Sequence, residues 1–414
     1  MKKLLLVLSL LLGLSAVAVP AEAHTGFKRV AYFIQWGVYG RDFHVRDVDT
    51  SGAAAKLTHL NYAFGFVNAE GDCFSADPWA DWQRPVPAEQ SVDGVADEAG
   101  QALNGNLNQL RKLKARHPHL KALISLGGWT GSAHFSDAVL TAESRARLAR
   151  SCVDLWMRGN LPGLEPGAAA GVFDGIDLDW EWPGSSGAEG NTVRPEDRRN
   201  FTLFVEELRA QLRAFSASSL LTAFLPAATA KIDAGFEVAR VFGQLDFATV
   251  QGYDLRGSWE TRTGHNANLL TDRRDPNPVR YSVDQTVRDY LSRGAPGRKL
   301  VIGVPAYGQG WTGVTGGGDG LYQPATGPAP GKWAAGTEDY KDLVAKPGER
   351  HRDLRTGTLW SYDGNELWSY DDPAVLVQKA AYIRLKNLGG SMMWSLDQDD
   401  DRASLTTALY SVLR

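Results

Sequence analysis

The stretch Phe173-Asp174-Gly175-Ile176-Asp177-Leu178-Asp179-Trp180-Glu181-Trp182-Pro183 decides how the rest of the chain is read. Side chains of a strand alternate between its two faces, so Asp177, Asp179 and Glu181 line one side and Ile176, Leu178 and Trp180 the other. Alternate positions lie about 6.6 Å apart along the strand. Three carboxylates on one face of a buried strand repel one another and are costly to desolvate. Such a ladder makes sense where protonation is shared and the charge is used. A solvated acidic edge strand is the plain alternative, but the apolar opposite face and the flanking tryptophans point to a strand covered on both sides.

Outward from this stretch, short β-rich runs recur at residues 29–36, 57–66, 120–127, 172–181, 220–226, 245–254, 299–307 and 389–396. Most are dense in Val, Ile, Leu and Phe, as buried parallel strands are. Helical patterns fall between them, at 107–116, 142–158, 195–215, 282–293 and 373–387. In the third of these, Phe201, Phe204, Val205, Leu208 and Leu212 recur at helical spacing. Eight strands alternating with helices predict an α/β fold, a (β/α)8 TIM barrel. The connection between the seventh and eighth strands is rich in Gly, Pro, Trp and Tyr and too long for an ordinary loop. Residues 308–371 are therefore expected to form a small α+β insertion on the C-terminal rim, with 24–307 and 372–414 forming the barrel. No internal repeat is visible.

The chain has 414 residues, 43% hydrophobic and 22% charged, with a formal net charge of -4. That composition is globular and argues against bulk attraction to nucleic acid. Lys2 and Lys3, the apolar run from Leu4 to Val19 and the Ala21-Glu22-Ala23 cleavage pattern read as a signal peptide over residues 1–23. A secreted, extracellular protein with no membrane segment after processing is expected. Cys73 and Cys152 could form one bridge, but the expectation is two unpaired, mostly buried thiols. No zinc-like Cys/His spacing occurs, and neither a metal nor a cofactor is expected; His117-Pro118-His119 reads as a surface pair at a helix end. Gly308-Gln309-Gly310-Trp311-Thr312-Gly313 fits a dinucleotide-binding fingerprint, but Gly- and Pro-rich sequence follows it where a helix would have to begin. The Asn200-Phe201-Thr202 sequon falls in a helical pattern. The acidic run Asp397 to Asp401 either orients rim residues or is solvated.

The pattern D-x-x-D-x-D-x-E over residues 174–181 resembles the signature of glycoside hydrolase family 18, the chitinases, on the fourth barrel strand. Ser125-Leu126-Gly127-Gly128 is similar to the family's S-x-G-G on the third strand. Tyr253-Asp254 resembles the sixth, and Gly389-Gly390-Ser391-Met392-Met393-Trp394 the eighth with its floor tryptophan. Tyr32-Phe33 and Trp36-Gly37-Val38-Tyr39-Gly40-Arg41 look like the first strand and loop of bacterial chitinases, and the insertion resembles the chitinase insertion domain. Gln251 departs from the family, where many relatives carry Met. Altered packing or an extra hydrogen bond below the sugar is expected there.

The resemblance implies retaining, substrate-assisted hydrolysis of chitin and chitooligosaccharides by a monomer. Glu181 would be the general acid. Asp179 would hold the substrate acetamido group and share a proton with Asp177, Tyr253 would bond the acetamido oxygen, and Asp254 would help to bend the sugar. Trp394 would floor the reacting subsite, with Tyr32, Phe64, Ser125, Gly127, Gly128 and Gln251 around it. Trp36, Trp129 and Trp259 follow the first, third and sixth strands, on the face where barrel active sites lie, and flat rings suit the C–H faces of sugars. By resemblance Trp36 serves the non-reducing side, and Trp129 and Trp259 the leaving-group side. Asp174 falls on the other face and is read as shaping the strand's start. Two other functions remain: a chitin-binding lectin on the same fold, whose kind loses the terminal glutamate that is present here as Glu181, and an endo-β-N-acetylglucosaminidase acting on N-glycans, which shares the motif.

Overall fold

The computed structural model describes residues 26–98 and 100–414; the expected signal peptide lies outside the described residues. Fifteen strands are numbered in chain order among the described residues: β1 Lys28–Ile34, β2 His59–Val67, β3 Cys73–Phe74, β4 Lys121–Gly127, β5 Gly175–Asp179, β6 Leu220–Leu225, β7 Phe247–Val250, β8 Leu300–Pro305, β9 Tyr307–Thr312, β10 Gly327–Pro328, β11 Thr337–Asp339, β12 Glu349–Asp353, β13 Thr358–Tyr362, β14 Leu367–Tyr370 and β15 Gly390–Trp394. Strands β1, β2, β4, β5, β6, β7, β8 and β15 pair in parallel in that order, and β15 pairs back onto β1. The sheet is closed, so its edges vanish and its strands can be apolar on both faces. All eight β-rich runs of the sequence fall on these eight strands.

Helices cover the outside. Asp197–Phe215 carries the helical stripe expected for it, and Phe201, Phe204, Val205, Leu208 and Leu212 are all buried. Asn200 is buried on the same helix, so the sequon is not a surface site. Pro373–Leu385 begins with Asp372 accepting from the Val375 N–H and Pro at its first turn, a strong start signal. The pattern at 142–158 divides into an α-helix, Ala142–Cys152, and a π-helical turn, Val153–Met157.

Between β8 and β15 a second, antiparallel sheet forms from β9 to β14, with its own apolar cluster of Trp311, Val314, Leu321, Trp360 and Leu367. Gly308-Gln309-Gly310 lies within β9, and the next element among the described residues is the strand β10, not a helix.

The expectation of two free thiols is overturned. Cys73 and Cys152 form a disulfide, with Cα atoms 5.0 Å apart. The short hairpin of β2 and β3 carries Cys73 to the end of the Ala142–Cys152 helix, where the Cys73 N–H also bonds Ser151 Oγ at 2.9 Å. Spacing along the chain holds no information about that meeting.

Candidate active site

The alternation read from the motif is present. Asp177 and Asp179 are buried inside the barrel mouth, Glu181 stands half-buried one step beyond the end of β5, and Ile176, Leu178 and Trp180 pack outward into the core. Trp180 stacks on Phe135 with ring centroids 5.4 Å apart. Asp174 accepts from the Ala122 N–H at 2.9 Å and pairs with Lys114 at 2.7 Å, so it ties the start of β5 to its neighbour.

Asp177 is saturated with donors. Tyr32 Oη and Ser125 Oγ each bond its Oδ2 at 2.8 Å, and Thr222 Oγ1 donates to Oδ1. Burial raises its pKa, and the three hydroxyls pull it back. Asp179 differs: its Oδ1 is buried without a hydrogen-bond partner. Burial pushes it well above the carboxylate range, and the charges of Glu181 and then Asp177 add to this. The protonation of Asp179 is thus linked to both of its neighbours on the ladder. Glu181 is pushed up to about 8 by burial and by the charge of Asp254, while Lys231 pulls the other way.

The backbone around the ladder is tightly held. A Cβ on Gly127, at φ 114°, would lie 2.3 Å from the Asp179 carbonyl oxygen, and one on Gly128, at φ 81°, would lie 2.7 Å from the Phe64 ring. The Gly128 N–H donates to that same Asp179 oxygen at 2.8 Å. Ser132 Oγ accepts from the Glu181 N–H at 2.9 Å, and Asn191 Nδ2 donates to the Glu181 carbonyl at 2.9 Å.

Across the mouth, Tyr253 is buried, its ring stacked on Phe224 at 6.2 Å, and burial keeps its hydroxyl protonated. Asp254 sits at φ 52°, a left-handed conformation that Asp tolerates, with its N–H donating to Asn266 Oδ1 at 2.8 Å. Tyr307 Oη and Gln309 Nε2 both donate to Asp254 Oδ1, at 2.8 and 2.9 Å. Gln251 Oε1 accepts from the Ala227 N–H at 3.4 Å, a bond that a Met at this position would not make, while its own N–H donates to the Leu225 carbonyl as part of the backbone.

The aromatic residues divide into groups. Trp394 stacks on Phe64 at 5.7 Å and touches Tyr32 at 5.0 Å, and Phe64 stacks in turn on Trp36 at 6.1 Å. Trp36 is 38% exposed, Trp129 51% and Trp259 62%. Trp129 joins the catalytic side through Lys231, whose ammonium lies 5.9 Å from its ring and 5.4 Å from that of Trp182. Trp259 stands alone on the loop after β7, its ring against Gly257.

Sequence reading missed Thr222, Lys231, Tyr307 and Gln309. Thr222 is in register with Asp177 and would follow from the strand pairing. Lys231, on the helix Thr229–Gly235, has no local signal.

Residues 28–399 match the glycosyl hydrolases family 18. The chain belongs to that family. It is 39% identical over 375 residues to Chitinase C of Streptomyces lividans, covering 90% of this chain and 57% of the relative. It is 35% identical over 420 residues to Chitinase A1 of Niallia circulans, covering 92% and 58%. The chain thus spans under two thirds of the length of these relatives. Among solved structures it resembles the catalytic domain of the psychrophilic chitinase B from Arthrobacter TAD20, with TM-score 0.91, 44% identity, and 94% and 95% of the two chains covered. It also resembles catalytic domain 2 of an Ostrinia furnacalis Group II chitinase, solved as a mutant in complex with penta-N-acetylchitooctaose, with TM-score 0.78, 28% identity, and 94% and 96% covered.

Proposed function

We propose that the protein is a secreted, monomeric chitinase that cleaves β-1,4 linkages between N-acetylglucosamine units with retention of configuration. The graded burial of Asp177, Asp179 and Glu181 carries this reading, because Glu181 alone of the three opens to the cleft. A general acid must hold its proton at working pH and reach solvent-side substrate. Glu181, pushed up to about 8, meets both needs.

Glu181 gives its proton to the glycosidic oxygen as the C1–O bond breaks. The substrate's own acetamido oxygen bonds to C1 and forms an oxazolinium ion, the substrate-assisted exception to two-carboxylate hydrolysis. Asp179, whose Oδ1 lacks a protein partner, accepts from the acetamido N–H. Tyr253, a neutral hydroxyl donor, bonds the acetamido oxygen. Glu181 then takes a proton from water as that water attacks C1, and the ring opens with the acetamide restored. Trp394 forms the apolar floor.

The signal-like segment at residues 1–23 supports export. The exposed Trp36, Trp129 and Trp259 favour a linear polymer over a branched N-glycan. Glu181→Gln tests the reading: turnover on chitin oligosaccharides is expected to fall by about 10²–10⁴-fold with binding retained. Near-wild-type turnover overturns the assignment, as does an initial α anomer in proton NMR of products recorded before mutarotation.

A further inference from the structure

The G-x-G segment lies within a strand, β9, and its alternation has a structural consequence. Gly308 and Gly310 share one face of β9, where a Cβ on Gly310 would lie 2.4 Å from the Trp368 ring and one on Gly308 2.7 Å from Leu343. The absence of a side chain at Gly310 leaves room for the ring of Trp368, its partner across the ladder, to lie over β9. Tyr307 and Gln309 alternate to the opposite face and both reach the same oxygen of Asp254. Gln309 is 5% exposed and Tyr307 is buried, its ring edge-on to Tyr253 at 6.0 Å. Buried donors on a carboxylate fix both its orientation and its charge.

We propose that β9 of the insertion is a positioning element of the active site: Tyr307 and Gln309 hold Asp254 in place as a carboxylate, so the insertion sets the charge that faces Glu181. This inference rests on the chitinase reading for its catalytic consequence, though not for the hydrogen bonds themselves. The groups facing the pair are known from each packed element. Asp179 and Asp177 lie on β5, Lys231 on the Thr229–Gly235 helix, Tyr253 and Asn266 on the segment after β7, and Tyr307 and Gln309 on β9. Burial raises the pKa of Asp254, and the two β9 donors oppose that rise. Loss of either donor therefore weakens the acid further.

Carbon-13 NMR of labelled aspartate carboxyls, titrated with pH, reads this directly, with Asp254→Asn identifying the Asp254 signal. In Tyr307→Phe and Gln309→Leu the Asp254 midpoint is expected to move up by about one pH unit each, the scale of one lost hydrogen bond to a charged group. The acid limb of kcat/KM on a chitin oligosaccharide should move with it, and neither change should shift the limb further when Asp254 is already Asn. An unmoved Asp254 midpoint in both variants overturns the proposal, as does a limb shift that persists in the Asp254→Asn background. A midpoint that moves in the variants, with the wild-type protein itself inert on chitin, would instead defeat the chitinase reading and leave the coupling standing.

Discussion

Replacing Arg41 by Ala removes a cation that stands between two buried carboxylates from different parts of the fold. Its Nη1 lies 2.8 Å from Asp339 Oδ2 on the insertion and 2.6 Å from Asp397 Oδ2 after β15. The second contact is an ion pair rather than an aligned hydrogen bond. The two carboxylate side chains are 2% and 1% exposed, against 14% for Arg41. Breaking a buried pair by deleting one partner costs about 3–5 kcal/mol. The partial exposure of Arg41 places the loss near the lower edge, at about 3 kcal/mol. For a chain of this size that lowers the unfolding midpoint by about 4 °C. The loss depends on pH. Burial raises the pKa of Asp397 and Arg41 opposes the rise. A carboxyl with a raised folded pKa binds extra protons in the native state, so stability falls as pH climbs from the unfolded pKa through the folded one. Without Arg41 the folded pKa rises further, and that falling window extends upward. The deficit of Arg41→Ala against wild type should thus be smallest near pH 4 and fully developed at pH 8, read by calorimetry or denaturant titration at both. A double change with Asp397→Asn should recover part of it. A deficit below about 1 kcal/mol, or one equal at both pH values, refutes the reasoning.

Cys73→Ser with Cys152→Ser opens a loop of 79 residues, and the chain-entropy account gives a loss of about 4–5 kcal/mol; a thermal midpoint unchanged from wild type, or two titratable thiols in the native protein, contradicts the bond. Trp129→Ala and Trp259→Ala should each lose on the order of 1 kcal/mol of sugar binding, with degradation of crystalline chitin falling more than cleavage of a short chromogenic substrate; equal losses on both would mean the rings serve packing. Because Glu181 is pushed up to about 8 in the free protein, kcat/KM should stay level through neutral pH and fall as its proton is lost above that value; a fall centred below pH 6 would assign the acid elsewhere.

What was legible in the sequence was whatever a local period encodes. The eight barrel strands follow from short apolar runs, and the sidedness of Asp177, Asp179 and Glu181 follows from a period of two. The strand proved shorter than its apolar run, Gly175–Asp179 against 172–181, since the chain leaves the ladder after Asp179. Short helices such as Val45–Thr50 and Thr229–Gly235 gave too few turns to show a stripe. Asp397 and Asp399, undecided in the sequence, are both buried: the first pairs with Arg41, and the second takes the N–H groups of Leu405 and Thr406 at the start of the last helix.

Pairings between distant segments stayed hidden for a different reason. Nothing near Cys73 points to Cys152, nothing near Arg41 to Asp397, and nothing near Gln309 to Asp254. In each case the residue type fits several roles, and the closed sheet and its insertion choose among them. The ladder on β5 shows what that choice accomplishes. Asp177, ringed by three hydroxyls, has its lone pairs occupied by the barrel itself. Asp179 Oδ1, buried beside it, has no such partner. Glu181, which reaches solvent, feels Asp254 from across the mouth, and Asp254 is in turn held from the insertion. One alternating sequence supplies three carboxyl groups, but their different chemistry comes from neighbours on β1, β4, β6 and β9. The acid is therefore a product of the whole rim, and changes remote from the motif, on β9 above all, should move its working pH range.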